Sequence, residues 1–500
     1  MKKKIFGLLM PLALLASCDN YLDVKSEFDV DSDEIFSTTD GFEMAVNGVY
    51  RLMAGTSLYS RDLTWGYASV LGQNYKLGIS ANKYDLIYDH KNFASYPAAI
   101  WEKGFNVIAN ANHILAQAQS KEASFFEEGE THKLVIEGEM YGIRALMHFE
   151  LMRLFTPAFT TDANKKTVLM PYVETYPCSH PTHIATSELL KKAIKDMEIA
   201  REKLASADTI TFYDHNIKVD YRFKTLTGPS VYPRLFFYCR GSRMNFMAAT
   251  ALLARMYMWQ GDYTKARKYA QEVIDGYRNG KIIYNFEPSA NMNNLSNFRP
   301  TRPEEIIFAV NRNLEDSRSE FERYVGADYT KANFEMDDQV MNALFEGDET
   351  DARYSGLYWK ANKYYNSHKY SVYTRMTSAD GFNDTNMSSF GALFPVISLP
   401  ELYFIVAECD IRNGNIANAM EILTLIRQKR GIMEYSLPTE GVTTEEATNY
   451  LRREVVRDGL SFGQTFFWFK RRGQNVWNGL NEIEMTEEKW TVPVPDSETI

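Results

Sequence analysis

The chain has 500 residues, 45% of them hydrophobic and 14% aromatic, enough apolar side chain for a large buried core and far from the composition of a disordered or collagen-like polymer. Lys and Arg total 55 against 65 Asp and Glu, a formal charge of -10 that argues against nucleic acid or anionic lipid headgroups as partners. A neutral ligand is left open.

Residues 1–17 read as a secretory signal peptide, with Lys2, Lys3 and Lys4 ahead of an apolar run broken by Pro11 and ending in the small residues Ala16 and Ser17. The run is too short to span a bilayer, and no later segment approaches ~20 unbroken apolar residues. Leu15-Ala-Ser-Cys18 resembles the lipobox of bacterial lipoproteins, so Cys18 is expected to be acylated and to become the mature N-terminus. One acyl chain holds only reversibly, and stable anchoring needs the several chains of a lipoprotein cysteine. Residues 18–36 are acidic and aperiodic, as a lipidated terminus and solvated linker should be. Asp29-Val-Asp31-Ser-Asp33 starts like a calcium loop but has Glu34 where the turn needs glycine. With Cys18 acylated, Cys178, Cys239 and Cys409 remain, which permits at most one disulfide.

Residues 37–500 are expected to form one domain. Helical periodicity marks Asp40 to Ala54 and Ala98 to Ala118 as one pair, and Lys133 to Phe155 with Thr186 to Leu204 as a second. Between the last two, Cys178-Ser-His180-Pro-Thr-His183 places three soft ligands within six residues, but Pro181 stiffens the loop and no fourth ligand is evident, so no metal is expected.

The strongest periodicity lies in two segments that repeat one another, beginning at Arg243 and at Ser398. Each is a helix, a Gly-Asp or Gly-Asn turn and a second helix. At an offset of 153, Ala254 matches Ala407, Gly261 matches Gly414, Asp262 matches Asn415 and Ala266 matches Ala419. The alanines allow close helix packing, the glycines supply a left-handed backbone, and Asp262 and Asn415 are expected to cap the second helices. Ala254, Tyr257, Ala266 and Ala270 follow tetratricopeptide spacing. The expected fold is therefore mostly α: a tetratricopeptide-like scaffold of about four helix pairs, with long irregular loops and a few short strands on one side.

Those loops are the insertions 55–97, 205–242 and 277–397, with a strand-like run at Glu305 to Val310. Loops of this length in a compact domain are usually functional. They hold aromatic residues beside amides and charges: Trp65, Tyr67, Asn74, Tyr75, Tyr84 and Tyr88 in one cluster, Trp359 and Tyr364 in another. A sugar stacks its C–H face on a ring and needs planar donors and acceptors for its hydroxyls. These eight residues are the candidate ligand contacts, and packing beneath the loops is the competing use of the same rings.

The start CDNYLDV, then Gly48-Val-Tyr50, Trp101 to Leu115, Glu139 to Phe155, the Leu252 to Ile274 hairpin, Glu304 to Val310, Asp351-Ala-Arg353, Glu401 to Glu408 and the closing Val492 to Pro495 resemble, in order, the SusD/RagB family of outer-membrane lipoproteins. On that resemblance 37–210 is the amino-terminal SusD-like part and 211–500 the carboxy-terminal SusD/RagB-like part. Phe466-Phe-Trp-Phe-Lys470 and Ser398 depart from the residues common in the family at those points. The resemblance implies a non-catalytic surface lipoprotein that binds oligosaccharide and passes it to a TonB-dependent outer-membrane transporter over which it sits as a hinged lid. A peptide ligand, as in RagB-like members, is the alternative. The residues supply no HExxH, GxSxG, Walker A or dinucleotide fingerprint, so neither an enzyme nor a cofactor is expected. A surface glycoside hydrolase is the less favoured reading.

Overall fold

The computed structural model describes residues 32–77, 84, 87–90, 97–213, 216, 218–223, 234–276, 283–293, 299, 301–312, 314–325, 334–361, 364–367 and 393–498. Cys18 and the Asp29–Asp31 segment lie outside them. The scaffold is a run of helices: α1 (Thr39–Met53), α2 (Pro97–Gln119), α3 (Gly129–Phe155), α4 (Thr186–Ser206), α5 (Phe246–Gln260), α6 (Tyr263–Ile274), α7 (Leu399–Arg412), α8 (Ile416–Lys429), α9 (Thr444–Gly459) and α10 (Thr465–Arg472). From α1 to α9 each helix packs against the next in sequence, and α7 also touches α9. Both of the weaker expected pairs, α1 with α2 and α3 with α4, are present. The fold is the mostly α, tetratricopeptide-like stack that the repeats called for. Among the described residues no helix is long and apolar enough to cross a membrane.

The two repeat hairpins show why the sequence folds this way. Asn245 caps α5 by accepting the Ala248 N–H at 2.9 Å. Gly261 then turns the chain with φ +87°, and Asp262 starts α6 by accepting the Lys265 N–H at 3.0 Å. Ala254, Ala266 and Ala270 are fully buried in the seam. Tyr257 lies over Tyr269, ring centres 5.7 Å apart, and donates its hydroxyl to Glu198 of α4 at 2.7 Å. In the second hairpin Ala407 and Ala419 are as buried, and Gly414 has φ +80°. Here the expected side-chain cap is absent: Asn415 makes no cap hydrogen bond, and the turn is closed by its N–H donating to the Asp410 carbonyl at 2.8 Å. Asp410 faces back to the first hairpin, where Arg267 grips its carboxylate at 2.7 and 3.0 Å. Cys409 is buried against Met258 and, like Cys178 and Cys239, is unbridged. Burial pushes its thiol up to about 12.

Residues 32–36 of the expected linker are packed on the helical body. A helical turn spans Ser32–Ile35, and Phe36 packs its ring 4.9 Å from Phe42 of α1 and 5.0 Å from His113 of α2. An aromatic side chain gains too much from burial to stay on a solvated tether.

The insertions carry the strands. The run at Ile306–Asn311 (β4) pairs antiparallel with Leu393–Ser398 (β8), just ahead of α7. A four-stranded antiparallel sheet joins Lys76–Leu77 (β1), Phe334–Asp337 (β5), Tyr364–Ser367 (β7) and Tyr358–Ala361 (β6), in that order. Val168–Pro171 (β2) pairs with His183–Ala185 (β3), and Val476–Trp477 (β9) with Glu482–Ile483 (β10).

Many charged residues of the scaffold are buried and paired. Arg144 of α3 donates to Asp196 of α4 at 2.7 and 2.9 Å. Glu139 takes both Arg240 and Arg243 from the 205–242 insertion and the start of the first repeat. The densest group fastens the long insertion to the last helices: Arg302 and Arg353 reach Asp458 of α9, Arg353 also binds Asp351 and Glu454, and Arg430 binds Glu305 at 2.5 Å and Asp458 at 3.0 Å. Each of these charges is desolvated, so removal of one partner is costly.

Candidate functional site

The sequence places eight residues on a ligand surface, and the structure divides them. Trp65, Tyr67 and Tyr84 are in the interior. Trp65 donates its indole N–H to the Ser60 carbonyl at 2.8 Å and stands edge-on to Phe321 and Phe334, while Tyr84 meets Phe334 edge-on with ring centres 4.9 Å apart. Aromatic rings bury 150–250 Å² each, and these pack with Leu58, Leu63, Val70, Leu71 and Ile87 of the same insertion. These three rings belong to the main core and present no face to a ligand. Trp359 and Tyr364 lie on β6 and β7, with Tyr364 opposite Asp337 in the ladder; their side chains are outside the described part.

Asn74, Tyr75 and Tyr88 come together at the rim of that core. With Gln73, Lys76, Leu77, Asp89, Asp337, Gln339, Val340, Asn478, Leu480 and Asn481 they line an open cleft of ≈ 580 Å³. Its floor is fixed from below. Tyr75 stacks flat on Phe334, 4.8 Å between centres and 9° between planes, and donates its hydroxyl to Ser461 Oγ at 2.9 Å. Burial pushes the Tyr75 phenol well above its ordinary pKa, so it stays a neutral donor. Asn74 accepts the Ser461 N–H at 3.3 Å and donates to the Gly72 carbonyl at 3.1 Å. Gln73 donates to the Tyr88 carbonyl at 2.7 Å.

The turn that receives Tyr75 and Asn74 is held by close backbone approach. Gly463, with φ +73°, passes so near the carbonyls of Leu63 and Thr64 that a Cβ would overlap both. Side chains from four stretches of chain thus meet at one cleft: the β1 region, Tyr88 and Asp89, the β5 end and the β9–β10 turn.

On the far wall Asp337 caps the helix Asp338–Phe345 by accepting the Gln339 N–H at 2.9 Å. The Lys76 ammonium is 3.7 Å from its other oxygen. Asn478 Oδ1 accepts the N–H groups of Leu480 and Asn481 at 3.1 and 2.8 Å and so shapes the tight β9–β10 turn. Gln339 and Asn481 are exposed, as is the apolar surface of Leu480. The cleft therefore offers amide donors and acceptors, a partly exposed Tyr88 ring and an apolar edge, which is the mixed lining that sugar hydroxyls and C–H faces require.

Asp337, Gln339, Asn478 and Asn481 were not among the sequence candidates. They join the site through pairings across hundreds of residues, and only Asn478-Gly-Leu-Asn481 carries a local sign, that of a turn. A second cavity, ≈ 100 Å³, lies among α5, α7, α9 and α10 against Met258, Phe404, Phe467 and Trp468. Several of its charges are engaged in pairs, such as Arg255 with Glu401 and Arg471 with Glu408. Among the described residues Cys178, His180 and His183 form no metal-binding cluster.

Two family models divide the chain between them. Residues 20–218 match the family described as starch-binding associating with outer membrane, and residues 251–467 match the SusD family. The chain belongs to the SusD/RagB family. Solved SusD-like structures share its fold: a SusD superfamily protein from Bacteroides thetaiotaomicron at 20% identity and TM-score 0.69, covering 92% of this chain and 97% of that one; a SusD superfamily protein from Bacteroides fragilis at 17% and 0.68, covering 93% and 98%; and a SusD-like carbohydrate binding protein from Bacteroides vulgatus at 16% and 0.60, covering 88% and 84%. No curated protein matches the chain. In this SusD-like chain the family segments Arg144-Ala145 and Asp351-Ala-Arg353 mark buried ion pairs of the scaffold, not ligand contacts.

Proposed function

We propose that this SusD-like protein captures an oligosaccharide in the cleft between β1, β5 and the β9–β10 turn, without transforming it, and hands it to a TonB-dependent outer-membrane transporter. The observation that carries the reading is the convergence of Tyr75, Tyr88, Asn74, Gln339 and Asn481 on one open cleft over a rigid aromatic base. Family membership and the carbohydrate-binding description of a neighbour support a sugar as the ligand. The two carboxylates of the cleft do not read as a hydrolytic pair: both oxygens of Asp337 are engaged, one as a helix cap and one beside Lys76.

The lipid anchor belongs to the same proposal. Cys18 would be acylated and tie the protein to the outer membrane, leaving it free to hinge over the transporter.

Isothermal titration of the soluble domain against a panel of oligosaccharides tests the ligand. Binding that weakens in Tyr88→Ala and Asn481→Ala supports the cleft. Binding confined to peptides would overturn the sugar reading in favour of the RagB-like one, and reducing ends released from a polysaccharide would overturn the non-catalytic one.

A further inference from the structure

Four residues that line the cavity among α5, α7, α9 and α10 each keep a polar atom with no hydrogen-bond partner among the described residues: Nη1 of Arg255, Nε of Arg153, Nε of Arg302 and the hydroxyl of Thr465. All four residues are buried. Arg255 gives Nε and Nη2 to Glu401 at 2.6 and 2.7 Å, but its Nη1 stands 3.6 Å from Glu150, beyond hydrogen-bond length. Arg153 holds Glu150 and donates Nη1 to Gln464 at 3.0 Å, and Arg302 holds Asp458 through Nη1. A buried polar group without a partner is costly, and four around one cavity call for a cause. Between them the walls are apolar: Met258 from α5, Phe404 and Ile405 from α7, Val455 from α9, and Phe467 and Trp468 from α10. The cavity opens at Ser398, Gln464 and Trp468, which are half-buried, so a molecule can enter.

We infer that this cavity is a second ligand site, for a small uncharged aromatic molecule that carries a hydrogen-bond-accepting oxygen. Size sets the first limit: an engineered apolar cavity of about 150 Å³ binds benzene, and ≈ 100 Å³ with an open mouth suits a single ring. The ring packs on the apolar walls, and the oxygen accepts from the N–H and O–H groups that lack a partner. Charge sets the second limit. Arg153, Arg255, Arg302 and Arg471 are already matched by Glu150, Glu401, Asp458 and Glu408, so a carboxylate would enter as an uncompensated buried charge, and a neutral carbonyl would not. Water alone can satisfy the polar atoms but gains nothing from the surrounding hydrocarbon. The site is separate from the cleft and meets it at one turn, where Phe462 lines the cavity and the preceding Ser461 accepts the Tyr75 hydroxyl.

The experiment is fluorine NMR of two probes of the same shape, 4-fluorobenzamide and 4-fluorobenzoate, titrated with the purified protein. The amide should saturate one site with a millimolar or tighter Kd, and the benzoate should bind about tenfold or more weakly. Val455→Phe places a ring inside the cavity and should abolish amide binding. Thr465→Val keeps the shape of the side chain, removes the hydroxyl and should weaken the amide by about threefold or more; it carries the test if Val455→Phe does not fold. No saturable binding of the amide means a cavity that holds water only and overturns the inference. Amide affinity unchanged in Thr465→Val, or in a folded Val455→Phe, overturns the placement of the ligand in this cavity. Benzoate bound as tightly as the amide overturns the uncharged class. The oligosaccharide reading of the cleft stands or falls separately, because neither probe is a sugar and neither variant lies in the cleft lining.

Discussion

Asp458 is the point at which the long insertion carrying one wall of the cleft is fastened to the helical scaffold, and Asp458→Asn should show it. The side chain is 4% exposed and receives three guanidinium groups: Arg302, Arg430 at 3.0 Å and Arg353 at 3.2 Å. Burial alone would raise its pKa, but Arg430, Arg302 and Arg353 outweigh that and hold it far below the usual carboxylate range. Arg302 and Arg353 flank β5 in sequence, so they pin the segment bearing Asp337 and Gln339 from both sides. Asparagine keeps the shape but removes the charge and turns an N–H toward groups that can only donate. Breaking a buried pair by loss of one partner costs about 3–5 kcal/mol, a large share of the 5–15 kcal/mol typical of a domain. Equilibrium unfolding in urea should record that loss, and limited proteolysis should cut the 277–397 insertion before the helical stack. A change under about 1 kcal/mol, with proteolysis unaltered, would refute the claim that this node holds the insertion in place.

Three further outcomes follow from the geometry. Trp65→Ala should cost about 3–5 kcal/mol of stability as a core truncation, whereas Tyr88→Ala should leave stability nearly unchanged and weaken oligosaccharide binding, with unfolding and titration read side by side. Gly261→Ala and Gly414→Ala should each cost about 1 kcal/mol by thermal unfolding, because both need a positive φ while the space for a methyl group is open. His148 sits buried with Nδ1 donating to the Arg144 carbonyl and Nε2 accepting the Val173 N–H, both at 2.9 Å, and burial lowers its pKa to about 3. The unfolded chain takes up this proton below about pH 6.5 and the folded one does not, so stability is full above that pH and about 2 kcal/mol is lost by pH 5; urea titrations at pH 8 and 5 should show that loss reduced in His148→Gln.

The scaffold was legible because its signals are local. Small residues at seam positions, a glycine at each left-handed turn and 3.6-residue periodicity all act within a hairpin, and the same logic found β4 as a continuous apolar run. The site was legible only in part, for two physical reasons. Strands of two to four residues such as β1 and β5 carry no usable periodicity, and they pair across more than 250 positions, so nothing near Tyr75 announces Asp337. A ring also serves equally well for stacking on sugar or for filling a core: Trp65, Tyr67 and Tyr84 went to the core, while Tyr88 stayed partly exposed. Arg144 and Arg353, which the sequence marks only as parts of family-like segments, are each buried on a carboxylate.

These two uses of aromatic and charged residues are connected. The cleft presents mostly amides and few charges, groups whose individual contacts with a sugar are weak in water, so affinity depends on holding them in place before the ligand arrives. Loops alone would not do this. The aromatic base under Tyr75 fixes one wall from within the insertion, and the Asp458 node fixes the other against α9, while the Ser461–Gly463 turn locks the floor to both. On the oligosaccharide reading proposed above, the cost of burying so many charges is spent on positioning, and the helical stack would contribute to binding through the rigidity it lends to residues it never brings into contact with the ligand.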